Sequence, residues 1–168
     1  MGYLPNLVTL MNLCFGTMAL LSMFAGDYHR SAVYILIAVL LDGLDGRLAR
    51  RLNTTSELGK QMDSLSDLVS FGVAPAILIF ACALEPAYGY GVLPVTVTLL
   101  FVVCGAYRLA RFNVLNISDY FVGIPITAAG GLLGALSFLE PVVPALAFLV
   151  LVPLLSFLMV STVKVPKL

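Results

Sequence analysis

Apolar residues run along the chain in six long blocks, near 6–25, 31–51, 57–84, 89–113, 121–139 and 142–162. Short polar breaks divide them: Gly26-Asp27, Asn53-Thr54-Thr55, Glu85-Pro86, the stretch from Asn116 to Tyr120, and Glu140-Pro141. Each block approaches the ~20 residues that a helix needs to cross the hydrocarbon core of a bilayer. A membrane β-barrel would instead alternate apolar and polar positions, and these runs are continuous. Short connections make neighbouring helices antiparallel. The pattern therefore predicts an all-α integral membrane protein, one domain over residues 1–168, built as a bundle of six transmembrane helices. No linker, low-complexity segment or internal repeat interrupts it.

Composition narrows the class further. Of 168 residues 61% are apolar and 11% charged, against about 25% charged in a soluble domain. One compact core cannot hide that much apolar surface. A soluble globular protein, a disordered chain and a nucleic-acid binder are all excluded. Net charge is zero, so no single-sign field draws a partner. Cys14, Cys82 and Cys104 lie far apart within apolar stretches, as small buried hydrophobes would. The lone His29 falls in a polar break and reads as a loop residue. The first block has no basic residue before it and contains Asn6, Thr9 and Asn12, which argues against a cleaved signal peptide.

Basic residues fix the expected orientation. With six spans, the termini and the second and fourth loops share one side. That side, with the adjoining helix ends, carries Arg47, Arg50, Arg51, Lys60, Arg108, Arg111, Lys164 and Lys167, while the other carries Arg30 alone. The positive-inside rule then places both termini in the cytoplasm.

Charge is concentrated rather than spread. Nine of eighteen formal charges fall between Asp42 and Asp67, where one apolar helix ends and the next begins. Asp42 follows the run from Tyr34 to Leu41 with no loop signal between them. An ionisable residue inside a span costs at least a few kcal/mol, which makes it a functional candidate. Asp42, Asp45, Ala49 and Arg50 share a helical face, and Gly59, Asp63 and Asp67 form a stripe on the next helix. A turn near Asn53 to Thr55 would fold the two together. Four converging carboxylates repel one another unless cations neutralise them, and oxygen-only donors suit Mg²⁺ or Mn²⁺. Gly43, Gly46, Ala49 and Gly59 leave room for a ligand. Two other readings stand beside this one: a salt-bridge network with Arg47, Arg50 and Lys60, and a cation or proton transporter. A transporter calls for acidic groups through the membrane depth, and the outer halves of the spans hold none.

The run Asp42-Gly-Leu-Asp45-Gly46-Arg-Leu-Ala49-Arg50, followed by Gly59, Asp63 and Asp67 at their spacings, resembles the CDP-alcohol phosphotransferase signature D-x2-D-G-x2-A-R-x8-G-x3-D-x3-D at every position. Flanking segments resemble the branch of that family whose acceptor is L-serine. They are Pro5-Asn6-Leu-Val-Thr9-Leu-Met-Asn12-Leu, Asp63-Ser-Leu-Ser-Asp67-Leu-Val-Ser-Phe-Gly-Val-Ala-Pro75, Tyr107-Arg108-Leu-Ala-Arg111-Phe-Asn113 and Phe121-Val-Gly123-Ile-Pro125-Ile-Thr-Ala-Ala129. The resemblance implies six transmembrane helices in a homodimer and two divalent cations at the cytoplasmic membrane face. By matching position, Asp42, Asp45 and Asp63 would hold one metal, and Asp42, Asp63 and Asp67 the other. Gly46, Ala49, Arg50, Ser56 and Gly59 would receive the CDP part of CDP-diacylglycerol, with Asn6 and Thr9 assisting, and Asp67 would be the general base.

The implied reaction moves a phosphatidyl group from CDP-diacylglycerol to L-serine and releases CMP. Glycerol 3-phosphate or an inositol phosphate is the alternative acceptor. Arg108 and Arg111, three apart on the fourth span, are candidates for holding the acceptor, with snorkelling to lipid phosphate as the plainer explanation. Gly130 and Gly134 have GxxxG spacing, which favours close helix contact. Pro75, Pro94, Pro125 and Pro144 are expected to bend helices or mark their ends.

Overall fold

The computed structural model describes residues 3–52, 56–115, 121–161 and 164–165, with side chains placed for 6–44, 46–47, 56–114 and 123–161. Six helices account for nearly all of it: α1 Tyr3–Phe24, α2 Tyr28–Leu52, α3 Glu57–Tyr88, α4 Val92–Leu115, α5 Ile126–Leu136 and α6 Ala145–Val160. A 3₁₀ turn, Ser137–Leu139, extends α5. Two residues, Phe121–Val122 (β1), pair antiparallel with Lys164–Val165 (β2), in the register Phe121 with Val165 and Val122 with Lys164. The Asn53–Thr55 turn and the Asn116–Tyr120 break lie outside the described residues.

Local chemistry sets the ends. Gly26, at φ 73°, turns the chain after α1, and Asp27 caps α2 by accepting from the Arg30 backbone N–H at 2.9 Å. His29 is therefore in the first turn of α2 rather than in a loop, where it meets Phe138 edge-on at 4.6 Å. The third block outruns its expected break at Glu85-Pro86 and ends at Gly89, φ 66°. The last two helices start later than the apolar pattern suggests, because Pro125 and Pro144 hold extended ψ angles of 140° and 142° just before them.

Three of the described helices are long and apolar enough to cross a membrane unaided: Asn6–Phe24, Glu57–Tyr88 and Val92–Val114. Of these α3 is central, with 67% of its apolar window buried against 28% for the other two. It is not uniformly α-helical. Leu68–Val73 and Phe80–Leu84 are π-helical turns, and in each case the residue before a proline closes an i→i−5 bond, Ala74 to Val69 and Glu85 to Phe80. Pro75 and Pro86 have no N–H for the carbonyl four residues back and their rings crowd it. Widening the turn absorbs that conflict without a sharp kink.

Phe71, Ile79, Phe101, Leu133, Phe148 and Met159 fill the core around α3. Backbones approach closely where side chains are missing. A Cβ on Gly130 would strike the Phe71 backbone, and one on Gly134 would come within 2.9 Å of Ile35. The GxxxG pair thus seats α5 against α3 and α2 inside one chain. All three cysteines are free, but only Cys82 is buried. Cys14 is exposed, because α1 lies at the periphery, where an apolar thiol can face lipid.

Candidate active site

Asp42 projects from α2, and Asp63 and Asp67 from the first turns of α3. Each places a carboxylate oxygen within 4.8 Å of the other two. Ligands of an octahedral Mg²⁺ lie about 3 Å apart when adjacent and about 4.2 Å when opposed, so this trio would draw together by up to roughly 2 Å to share one ion. The donor set is all oxygen, as a hard divalent cation requires. Asp42 also meets the Asp67 carboxylate directly and takes a hydrogen bond from the Thr127 side chain at the start of α5. Lys60 is held elsewhere, 2.7 Å from Glu57. The residues present fit a divalent cation better than a salt-bridge network. Asp45, Ala49 and Arg50 lie on the same helix as Asp42, with side chains outside the described residues.

The far side of the site is α1. Asn12 is fully buried, and its amide nitrogen donates to Asp67 Oδ1 at 3.4 Å. Two α3 hydroxyls brace this helix: Ser66 donates to the Thr9 carbonyl at 2.8 Å and Ser70 to the Asn12 carbonyl at 3.1 Å. Gly16 allows the approach, since a Cβ there would collide with Ser70. Nearer the chain start, Asn6, Ser56 and Gly59 converge. A Cβ on Gly59 would lie 3.1 Å from both Asn6 Oδ1 and Ser56 Oγ. Ser56 caps α3 by accepting from the Gly59 N–H at 3.0 Å. At Gly43 and Gly46, by contrast, an added Cβ would meet nothing within 4 Å, so that face of α2 is open to a ligand.

The two arginines of α4 part company. Arg111 donates to the Val160 carbonyl at 2.9 Å and the Ser161 carbonyl at 3.4 Å, and its guanidinium lies 5.9 Å from the centre of the Tyr107 ring. It fastens α4 to the last turn of α6. Arg108 is 7% exposed and within electrostatic range of Asp67, which removes it from lipid phosphates. Asn113, further along the helix, donates to Ser64 Oγ at 2.9 Å.

Asn12 and Thr127 are site residues that the sequence reading did not assign. Asn12 had a usable signal: Asn6, Thr9 and Asn12 recur every three residues along an apolar helix, and polar side chains inside a span seek partners. Thr127 had none, because a threonine beside Pro125 in an apolar stretch gives no hint of which helix it faces.

The comparisons with known proteins agree with this geometry. A family profile described as CDP-alcohol phosphatidyltransferase matches residues 2–165. The CDP-diacylglycerol--serine O-phosphatidyltransferase of Bacillus subtilis (strain 168) is 37% identical over 168 residues, covering 99% of this chain and 91% of that protein. A protein of the same description from Helicobacter pylori (strain ATCC 700392 / 26695) is 39% identical, covering 97% and 71%. The archaetidylserine synthase of Methanothermobacter thermautotrophicus is 36% identical, covering 98% and 70%. Enzymes of this family are membrane proteins that depend on a divalent metal. With a matching profile over nearly its whole length and an acidic cluster at the junction of α2 and α3, the chain belongs to the CDP-alcohol phosphatidyltransferase family.

Proposed function

We propose that this enzyme transfers the phosphatidyl group of CDP-diacylglycerol to L-serine, releasing CMP. The observation that carries the reading is the carboxylate trio Asp42, Asp63 and Asp67, closed to within 4.8 Å beside a buried polar seam. The substrates are those named for the bacterial relatives. Asp42, Asp63 and Asp67, with Asp45 one turn along α2, would hold two Mg²⁺ or Mn²⁺ ions. Bound there, such ions would neutralise the diphosphate and stabilise the leaving phosphate.

The chain's own residues supply the rest. Asn6, Thr9, Gly46, Ala49, Arg50, Ser56 and Gly59 would receive the CDP moiety. Asp67 removes the proton of the serine hydroxyl as its oxygen bonds to the phosphatidyl phosphorus. The bond from that phosphorus to the CMP oxygen breaks, and CMP departs with the electron pair. Diacyl chains stay in lipid while serine and CMP exchange with water. The excess of basic residues at the site end of the bundle supports a site and termini on the cytoplasmic side of the cell membrane. Pairing of two copies follows the family resemblance.

The purified chain in vesicles of CDP-diacylglycerol and neutral lipid tests this. Serine should release CMP and form phosphatidylserine one for one, with glycerol 3-phosphate and inositol phosphates inactive. Turnover with a phosphorylated acceptor and not with serine would overturn the assignment.

A further inference from the structure

Among the described residues, three buried side-chain polar atoms have no hydrogen-bond partner: Asn12 Oδ1, Ser31 Oγ and Arg108 Nε. Ser31 is at the opposite end of α2. The other two flank Asp67, one from α1 and one from α4. Leaving a buried polar group unsatisfied costs about 1–3 kcal/mol, more when it is charged. Two such atoms beside one carboxylate therefore point to a ligand.

Their chemistries are opposite. Asp67 offers only acceptors to Asn12, so the amide nitrogen faces it and the amide oxygen is left over, an acceptor needing a donor. Arg108 presents a planar donor fork suited to a carboxylate. Arg111 cannot share the task while it holds the α6 carbonyls. A phosphorylated acceptor would call for several cationic donors, and among the described residues the unpartnered donor beside Asp67 is Arg108 Nε. A free amino acid needs one donor group for its carboxylate and one acceptor for its ammonium, with its hydroxyl between them at the base.

We propose that Arg108 and Asn12 form a zwitterion-reading acceptor site around Asp67, Arg108 taking the carboxylate of the amino-acid acceptor and Asn12 Oδ1 its ammonium. This rests on the serine-transfer reading and deepens it. Each residue then sets specificity against a different analogue. Arg108 rejects ethanolamine, which lacks the carboxylate, and Asn12 rejects 3-hydroxypropionate, which lacks the ammonium.

The test measures CMP release by the full chain in vesicles with serine, ethanolamine or 3-hydroxypropionate, giving kcat/KM for each and the KM for CDP-diacylglycerol. The wild type should prefer serine to either analogue by at least roughly 30- to 100-fold, the scale of a lost charge-assisted hydrogen bond. Comparable use of either analogue would overturn the proposal, whether or not any variant folds. Arg108→Gln should raise the serine KM and collapse the preference over ethanolamine while preserving that over 3-hydroxypropionate. Asn12→Leu should collapse the preference over 3-hydroxypropionate while preserving that over ethanolamine, and the donor KM should hold in Arg108→Gln. Serine transfer with both preferences unchanged in the variants overturns this site alone. If the wild type shows no serine-dependent release yet turns over glycerol 3-phosphate, the serine assignment falls and takes this site with it.

Discussion

Asp67 has two neighbours that fix its orientation, Asn12 from α1 and Asp42 from α2, and that crowding separates base from ligand. Asp67→Asn keeps the shape and removes the basicity. Turnover should fall by roughly 10²- to 10⁴-fold, while CDP-diacylglycerol binding, measured by competition with a labelled donor, largely survives. Asp42→Asn should weaken donor and metal binding together. Thr127 acts one step further out, through its hydrogen bond to Asp42. Groups that orient a metal ligand usually matter by 10- to 100-fold in affinity. Thr127→Val should therefore raise the Mn²⁺ concentration needed for half-activity by about 10-fold, and Thr127→Ser should restore it. Unchanged metal titration in the valine variant would remove Thr127 from the site. The aspartates were legible in the sequence because charge inside an apolar run is conspicuous. Asn12 and Thr127 are neutral, and their partners are set by tertiary packing.

At the scale of elements, the small residues of α5 were legible as a close-contact motif, but their partners were not. Gly130 lies on the Phe71 backbone within the first π turn of α3, so the contact depends on a distortion that Pro75 imposes. Gly130→Ala must push the two helices apart. We expect a loss of about 1–3 kcal/mol, the usual range for overpacking, read as a lower unfolding midpoint in detergent. Gly43→Ala, on the open face of α2, should leave that midpoint within error. The prolines were read as bends or ends, and Pro125 and Pro144 do mark starts. Pro75 instead widens a helix that continues, because buried apolar residues flank it on both sides, and Pro86 widens the last stretch before the helix ends exposed at Tyr88.

The whole molecule is polar at one end. Tyr90 is 81% exposed just past α3, and Arg47 is exposed at the opposite end of the bundle. In a Cys14→Ala background, an impermeant thiol reagent applied to intact cells should label Tyr90→Cys but not Arg47→Cys. Permeabilisation should expose the second. Labelling in the opposite order would invert the topology. Metal dependence also belongs to this scale, since two helices, α2 and α3, bring the donors together. Excess chelator should abolish turnover, and Mg²⁺ or Mn²⁺ should restore it. Persisting activity in the chelator would remove the cations from the site. The six blocks foretold the helix count because membrane spans must be both long and apolar. They overestimated α5, whose fourteen residues with the 3₁₀ turn fall short of a full span.

The lengths of α1 and α2 set the depth of the chemistry. Asp42 is fourteen residues along α2 from Tyr28, and Asn12 is twelve from the far end of α1 at Phe24. At 1.5 Å per residue these are about 21 and 18 Å, less than the ~30 Å of a hydrocarbon core. With the far ends of α1 and α2 at the opposite interface, the reacting groups would lie on the order of 10 Å inside the near one. The nucleotide must reach down to the lipid rather than the lipid rise to it. Hydrophobic mismatch then becomes a control on rate. A thicker bilayer would bury the site further from water, so turnover should decline in vesicles as acyl chains lengthen from fourteen to twenty-two carbons.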